Sequence, residues 1–88
     1  MPVLFRTRDN AGDQGARSEA IAWNPDGTFK EIVSRRPTIG CSMLVGSVTA
    51  RSYSNQDYWL TTPVTEIISE TEEEVRFKTG NSEYIWRS

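Results

Sequence analysis

Apolar and polar side chains alternate through Val75–Ser88, and this alternation predicts a complete β-hairpin. A two-residue loop at Gly80-Asn81, with Gly80 supplying the positive φ of a type II′ turn, fixes the register of the two strands. The pairs are then Thr79 with Ser82, Lys78 with Glu83, Phe77 with Tyr84, Arg76 with Ile85 and Val75 with Trp86. This register gathers the Val and aromatic side chains on one face and opposes Lys78 to Glu83 on the other, so apolar pairing and charge pairing agree.

A second hairpin is predicted around the turn Asn24-Pro25-Asp26-Gly27. Pro25 presets φ for a type I turn, and Gly27 accepts the left-handed conformation that follows such a turn. The predicted flanking strands are Glu19–Trp23 and Thr28–Val33, which have the apolar and β-branched residues that a half-buried sheet requires.

The longest predicted strand is Tyr58–Glu70, which is rich in β-branched and aromatic residues. Pro63 lies in its middle and has no amide proton for a central ladder, so the strand either lies at a sheet edge or bends there. Thr71–Glu74 then connects it to the C-terminal hairpin, as a turn or as a single helical turn that is too short to be stable alone.

The N-terminal segment carries a weaker pattern. Val3–Arg8 alternates as a short strand, whereas Asp9–Ser18 has almost nothing to bury and is expected to be an exposed, mobile loop. Asp9, Asn10 and Asp13 raise the alternative of a calcium loop. Their spacing misses the EF-hand pattern and no closing Glu follows at the required position, so we predict no metal site.

The middle of the chain is expected to cross between sheet segments at Arg35-Arg36-Pro37, because proline interrupts a β-ladder. Ile39–Tyr53 follows as an extended stretch, with Gly40 and Gly46 as candidate bends or bulges. Ser54–Asp57 is the next predicted turn.

Together these elements predict an all-β fold in one domain that spans residues 1–88. No segment has a sustained helical periodicity. The spacing of strands and turns favours a small antiparallel barrel or a bent sheet of five to six strands, with an SH3-like barrel as first choice and an OB-like barrel as second. Hydrophobic residues are only 36% of the chain, so the core depends on three Trp, three Tyr and three Phe. Self-association stays open, because small sheets often cover an edge or an apolar face with a second copy.

Charge and cysteine usage indicate where such a protein works. The net charge is −2, with seven basic and five acidic residues in 1–51 against three and seven in 52–88. The single cysteine cannot form an internal disulfide, and the N-terminus lacks the charged and apolar regions of a secretory signal. No apolar run approaches the ~20 residues of a membrane helix. We therefore expect a cytoplasmic protein with no membrane partner.

The residues that usually carry catalysis are missing. The chain contains no histidine, which removes the usual general base and the commonest metal ligand. Cys41 follows Gly40 in an apolar stretch and reads as a buried packing residue. Glu66 and Glu70 read as solvated charges, and no P-loop, dinucleotide fingerprint or nucleophile elbow is present. We predict no catalytic, cofactor or metal site and no enzymatic activity.

Binding to another protein is the leading functional interpretation. Exposed aromatic residues, open edge strands and surface loops on a small β domain are common recognition elements. The candidate partner-binding residues are Tyr58, Trp59, Arg35, Arg36 and Trp23. Tyr58 and Trp59 serve equally well as core residues at one end of a barrel.

Binding to single-stranded nucleic acid is the alternative interpretation. Eight of the ten basic residues are Arg, which suits contacts with phosphate, and aromatic rings could stack on bases. The residues expected to make these contacts are Arg6, Arg8, Arg17, Arg51 and Tyr53. A pI near 5 and the run Glu72-Glu73-Glu74 oppose this interpretation.

The C-terminal half resembles a pattern in short bacterial and prophage-encoded proteins of unknown function. In those proteins a T-S-P-V-x-x-I segment precedes F-K-T-x-N-S-x-Y, and Thr61–Ile67 and Val75–Tyr84 match it over about thirty residues, with Thr62 where Ser is usual. The resemblance implies a small, mostly β accessory protein. A phage origin implies inhibition or remodelling of a host protein.

Four polar residues of this pattern allow two roles. Their side chains can hydrogen-bond nearby backbone, which favours stabilisation of turns, or they can form a polar pocket shared by the two segments. The residues are Thr61, Thr62, Asn81 and Ser82.

Overall fold

The computed structural model describes residues 1–46 and 58–88, and within these ranges the chain forms β-strands and no helix. The strands are β1 (Val3–Arg6), β2 (Gly12–Gln14), β3 (Arg17–Trp23), β4 (Phe29–Ser34), β5 (Ser42–Gly46), β6 (Tyr58–Glu70), β7 (Glu74–Thr79) and β8 (Glu83–Arg87). Residues 47–57, which include the predicted turn Ser54–Asp57 and the end of the predicted stretch Ile39–Tyr53, lie outside the described residues. Within 1–46 and 58–88, no helix has the length and apolar character needed to cross a bilayer.

The described strands form one antiparallel sheet in the order β2-β1-β8-β7-β6-β5-β3-β4. The prediction of an all-β antiparallel fold is therefore confirmed. The described strands number eight, where the sequence pattern predicts five to six, and the order ends at β2 and β4 without closing into a barrel. One extra strand is β2, which forms inside a segment expected to be a loop.

β6 joins the two halves of the sheet and bends at Pro63. Its first part, up to Pro63, pairs with β5, and its second part, from Val64, pairs with β7. The pairing shifts register on both sides of the proline, and Val64 N donates to Cys41 O at 2.9 Å. β6 lies at the centre of the sheet, so of the two roles predicted for Pro63 the bend is confirmed and the edge position is wrong. The bend lets β1 and β2 approach β5 and β6 across the core.

The core lies on the concave side of this bent sheet. It consists of buried residues from both halves: Leu4, Ala20, Cys41, Met43, Val45, Val64, Val75, Phe77, Tyr84 and Trp86. Phe77 is fully buried and stacks on Tyr84, with ring centroids 5.5 Å apart. The aromatic residues of the C-terminal hairpin thus supply the largest side chains in the core.

The C-terminal hairpin has the predicted register at every pair from Val75–Trp86 to Lys78–Glu83. The predicted type II′ turn is wrong, because Gly80 does not lie in the left-handed region. Instead, Thr79 N donates to Ser82 O at 2.8 Å, and Thr79 Oγ1 accepts from the backbone N of Ser82 at 3.2 Å. The Thr79 hydroxyl accepts from the N–H of Ser82, so the loop closes without a positive φ at Gly80.

The predicted hairpin around Asn24-Pro25-Asp26-Gly27 is confirmed, since β3 pairs with β4. Gly27 has a φ of 86° and donates its N–H to Asn24 O at 2.9 Å. These are the features of a type I turn followed by a left-handed glycine. The connection Thr71–Glu74 is also a turn, closed by Thr71 N donating to Glu74 O at 2.7 Å.

The prediction of a loop over Asp9–Ser18 is wrong, because β2 pairs with β1 and β3 begins at Arg17. A turn after β1 reverses the chain. The Arg6 guanidinium binds both carboxylate oxygens of Asp9 at 3.0 and 2.7 Å, and Asn10 adopts a left-handed φ of 58°. A composition without apolar residues did not prevent a strand here, because backbone pairing with β1 stabilises it.

Gly12 allows β2 to lie against β1. A Cβ at this position would be 1.9 Å from Leu4 O and 2.7 Å from Phe5 Cα, both backbone atoms that cannot move without disturbing the sheet. We expect Gly12→Ala to lower the free energy of unfolding by about 1–3 kcal/mol, as an overpacking substitution. Urea unfolding monitored by circular dichroism measures this. Gly80→Ala, where a Cβ meets no atom within 4 Å, is the control, and an equal loss there would contradict the steric explanation.

Candidate functional site

The part of the sheet formed by β4, β3, β5 and the start of β6 has a second apolar face that points away from the core. Side chains alternate along a strand, so Ala20 and Met43, which pair with each other, face the core. Their neighbours Ile21 and Leu44 face outward. The register places seven apolar residues on this outer side, and we call them the outer apolar surface: Ile21, Trp23, Phe29, Ile32, Leu44, Tyr58 and Leu60.

The outer apolar surface has a covered centre and an open rim. Ile21 and Leu44 are 6% and 5% exposed, and neither belongs to the core cluster. The rim residues are strongly exposed: Phe29 at 56%, Ile32 at 49%, Leu60 at 42% and Tyr58 at 38%. A contiguous apolar patch of this kind on a small protein is typical of an interaction site.

Trp23 is held in place within this surface. Its indole Nε1 donates to Ser42 Oγ at 2.7 Å, and Ser42 is itself 2% exposed. Trp23 also pairs across the strands with Phe29. Because its N–H already has a hydrogen-bond partner, the Trp23 ring is held in one rotamer. It would lose little side-chain entropy on contact with a partner.

The outer apolar surface continues to a sheet edge. β4 ends the strand order, and from Phe29 to Val33 each of its residues is exposed. Its pairing with β3 shifts register at two places. As a result Phe29 pairs with Trp23 and Ile32 with Ile21, so both lie on the outward face although they are three positions apart. Among residues 1–46 and 58–88, neither Lys30 nor Glu31 forms an ion pair.

Two of the predicted partner-binding residues, Tyr58 and Trp23, lie on the outer apolar surface, but at opposite ends of it, since Tyr58 is aligned with Gly46 and Arg17. Trp59 lies on the opposite side of β6 and packs against the core. The Arg6 guanidinium covers its ring, 5.2 Å from the ring centroid. Its Nε1 is buried and has no hydrogen-bond partner among the described residues.

The predicted partner-binding residues Arg35 and Arg36 lie at the other end of β4 and contact the protein itself. The Arg36 guanidinium lies 5.2 Å from the centroid of the Trp86 ring and donates to Glu72 O at 2.7 Å and to Glu70 Oε2 at 3.1 Å. Arg35 donates to Ala16 O at 3.2 Å. Arg36 therefore links the crossing segment to the turn between β6 and β7.

The residues predicted for nucleic-acid contact are dispersed, and two of them are paired with carboxylates. Arg6 binds Asp9, and this hydrogen bond, with that from Ala11 N, lowers the pKa of Asp9 to about 2. Arg17 Nε lies 3.1 Å from Glu19 Oε1. Arg8 is exposed, and Arg51 and Tyr53 lie outside the described residues. Both pairs reduce the positive charge available to phosphate.

The four polar residues of the C-terminal pattern make local backbone contacts. Thr61 Oγ1 accepts from Met43 N at 2.9 Å and donates to Thr62 O at 2.7 Å, which fixes β6 against β5. Asn81 N and Ser82 N both donate to Thr79 Oγ1 in the hairpin turn. Among these contacts, Thr61 alone of the four uses its side chain, and it joins two strands; the turn is closed by the side chain of Thr79.

Catalytic chemistry finds little support in the described residues. Burial raises the pKa of the Cys41 thiol, which disfavours the reactive thiolate. Within residues 1–46 and 58–88, no three Cys, Asp or Glu side chains are grouped to hold a metal ion. An open depression of about 470 Å³ over β1 and β2 is lined by one carboxylate, from Asp13, without a second acid or a nucleophile among its lining residues.

Most of the outer apolar surface was missed by sequence reasoning. The sequence pattern assigns Ile21, Ile32, Leu44 and Leu60 to strands but not to an exposed face. The spacing of Ile21 with Trp23 and of Tyr58 with Leu60 is the period-2 pattern that could have indicated it. The two bulges opposite β4 break this period, so the strand register was needed to place Phe29 and Ile32.

The described residues form a small antiparallel β protein in which the rim of the outer apolar surface is exposed. Comparisons of the chain with protein-family models, curated proteins and solved structures find no match. We therefore infer function from the chemistry of this surface.

Proposed function

We propose that this protein is a non-catalytic binding module that docks a partner protein on the outer apolar surface. The observation that carries the proposal is the exposure of Phe29, Ile32, Leu60 and Tyr58 along one face of the sheet, at one end of which Trp23 is anchored by Ser42. Interfaces concentrate their binding energy in a few aromatic and apolar anchors within a polar rim. This surface has such anchors, and Arg17 and Glu19 lie at its border.

The two ends of the molecule differ in what they offer a partner. The outer face of β7 and β8 carries charge pairs that already satisfy each other, Arg87 with Glu74 at 3.0 Å and Arg76 with Glu83 at 3.8 Å. Such paired, solvated charges contribute little to association. The outer apolar surface is therefore the better candidate for the interface, and it fits an accessory role.

Photo-crosslinking tests the proposal. A photoreactive phenylalanine analogue at Phe29 is expected to crosslink a discrete protein in extract of the source cells, and the same analogue at Phe5 is not. Phe29→Ser with Ile32→Ser is expected to abolish capture by a tagged protein, because the substitutions remove the apolar anchors without creating a charge. Ile68→Ser is the matched control, since Ile68 is 40% exposed on the second half of β6.

Loss of capture by the Ile68→Ser control to the same extent would contradict docking at the outer apolar surface. Recovery of nucleic acid alone, with binding to short oligonucleotides that weakens steeply above about 50 mM salt, would favour the single-stranded nucleic-acid alternative. A crosslink between two copies of the chain would identify self-association as the function of the surface.

A further inference from the structure

We propose that Arg36 is a positioning residue for the outer apolar surface, because its contacts hold the C-terminal end of β4 on the sheet. The inference rests on the proposed function, since β4 carries Phe29 and Ile32, the two most exposed residues of that surface. Arg36 follows the opposite end of β4 from Phe29 and is not part of the surface itself. It acts by keeping the strand in place.

The side chains of β4 contribute little to holding it on the sheet. Each residue from Phe29 to Val33 is exposed, and Ser34 is half-buried. β3 is the one described strand that pairs with β4, and two register shifts interrupt this ladder. A segment with few buried apolar contacts opens locally at a low cost in free energy. The position of β4 therefore depends on how its two ends are fixed.

A hydrogen-bonded turn fixes the N-terminal end of β4. Asn24 N donates to Thr28 O at 2.8 Å, and Asn24 Nδ2 donates to Thr28 Oγ1 at 3.1 Å. Asp26 Oδ1 accepts from Thr28 N at 3.0 Å and from Thr28 Oγ1 at 2.7 Å. All of these contacts are local, so this end of the strand needs no contact with the second half of the sheet.

The Arg36 side chain fixes the C-terminal end of β4 by contacts with distant residues. Its guanidinium donates to Thr71 O at 2.5 Å and to Glu72 O at 2.7 Å. The guanidinium carbon also lies 5.2 Å from the centroid of the Trp86 ring. These partners belong to the turn between β6 and β7 and to β8, in the half of the sheet that does not pair with β4.

The partners of Arg36 are themselves firmly held. The turn that supplies the two carbonyl oxygens is closed by Thr71 N donating to Glu74 O at 2.7 Å. Trp86 is 3% exposed, and its Nε1 donates to Ser18 Oγ at 3.0 Å. A planar guanidinium can lie on an aromatic ring while it donates to two acceptors, an arrangement that the lysine ammonium does not reproduce. Arg36 thus ties an exposed strand to fixed points.

The backbone beside Arg36 carries this attachment to β4. Arg36 N donates to Ser34 Oγ at 3.1 Å, so the last residue of β4 is bonded to the residue that makes the distant contacts. Ser18 Oγ donates to Arg35 O at 2.7 Å and joins the same segment to β3. The Arg35 side chain is exposed and donates to Ala16 O at 3.2 Å. Arg35 is therefore a matched control for Arg36.

Amide hydrogen exchange of the protein alone tests this role. Arg36→Lys keeps the charge and loses the forked contact. We expect it to speed exchange of the β4 amides that bond to β3 by about tenfold or more, and to change the amides between β7 and β8 by less than about twofold. The Trp23 indole N–H resonance should also shift, because Trp23 pairs with Phe29.

Two control variants are expected to leave exchange in β4 unchanged. Arg35→Lys alters the neighbouring arginine. Glu70→Gln removes the carboxylate that accepts from Arg36 at 3.1 Å, and the side chain of Glu70 is 52% exposed, so this ion pair contributes little. An effect of either control as large as that of Arg36→Lys would overturn the assignment to the two carbonyl oxygens and the Trp86 ring.

Equal acceleration in β4 and β7 would also overturn the proposal, because Arg36 would then stabilise the whole sheet and not position one strand. Failure of Arg36→Lys to fold would have the same meaning. Exchange of the unaltered protein at low urea concentrations is an independent check. We expect the β4 amides to exchange through a local opening that urea hardly affects; exchange only through global unfolding would contradict separate anchoring of β4.

The exchange experiment involves no partner, so the two proposals can fail separately. If Arg36→Lys loosens β4 while Phe29→Ser with Ile32→Ser leaves partner capture intact, Arg36 positions β4 but the outer apolar surface is not the docking site. If capture requires Phe29 and Ile32 while Arg36→Lys leaves exchange in β4 unchanged, the docking site stands and the positioning role is wrong.

Discussion

Replacing Phe77 by alanine is expected to lower the free energy of unfolding by about 3–5 kcal/mol, the usual cost of removing a fully buried phenylalanine. Phe77 is 0% exposed, and its ring stacks on Tyr84 with centroids 5.5 Å apart. The substitution removes apolar burial, leaves a cavity between the halves of the bent sheet and deprives Tyr84 of its aromatic neighbour. A small domain is stable by only about 5–15 kcal/mol, so this loss is a large fraction of the total.

The measurement is equilibrium urea unfolding with circular dichroism and tryptophan fluorescence as independent probes. Phe29→Ala is the matched control, since it removes the same side chain from a position that is 56% exposed. We expect it to change the free energy of unfolding by about 0.5 kcal/mol or less. Equal effects of the two substitutions would contradict the assignment of Phe77 to the core and Phe29 to the surface.

The contrast between these two phenylalanines also shows what the sequence could predict. Apolar residues occupy every second position on the face of the C-terminal hairpin that carries Phe77. The two strands are also neighbours in the sequence, so their pairing can be predicted without knowing the rest of the fold. Its strand pairing was predictable for that reason. The turn type was not, because the hydroxyl of Thr79 competes with the conformational preference of Gly80.

Features that depend on contacts distant in sequence were harder to predict. β2 is a strand only because β1 lies beside it. In the sequence Gly12 looks like a flexible loop residue, whereas in the structure a glycine is needed because a side chain would clash with Leu4 O. The outer apolar surface gathers residues from β3, β4, β5 and β6, so it follows from the sheet order and not from any one segment. The sequence singles out Tyr58 and Trp23 as aromatic candidates, but only the register of the sheet shows that they share a face.

Arg36 illustrates what the sequence does not show about a charged residue. It is predicted to bind a partner, and in the structure its guanidinium lies against Trp86 and donates to carbonyl oxygens of the turn after β6. That contact pairs residues separated by 50 positions in the chain. Local sequence carries no information about it.

Replacing Ser18 by alanine is expected to have the second largest effect on stability, about 2–4 kcal/mol. Ser18 is 2% exposed; its Oγ accepts from Trp86 Nε1 at 3.0 Å and donates to Arg35 O at 2.7 Å. Alanine leaves the buried Trp86 Nε1 without a partner, which costs about 1–3 kcal/mol. It also removes the hydrogen bond to Arg35 O, worth about 0.5–1.5 kcal/mol, although water can reach this carbonyl because Arg35 is exposed. Urea unfolding again measures the change.

Ser42→Ala is the matched control, because Ser42 also accepts from an indole, that of Trp23 at 2.7 Å. Trp23 is only half-buried and lies on the outer apolar surface, so water can replace the lost hydroxyl. We expect the control to cost about 1 kcal/mol or less, the net value of one hydrogen bond. A loss at Ser42 as large as that at Ser18 would mean that water does not reach Trp23.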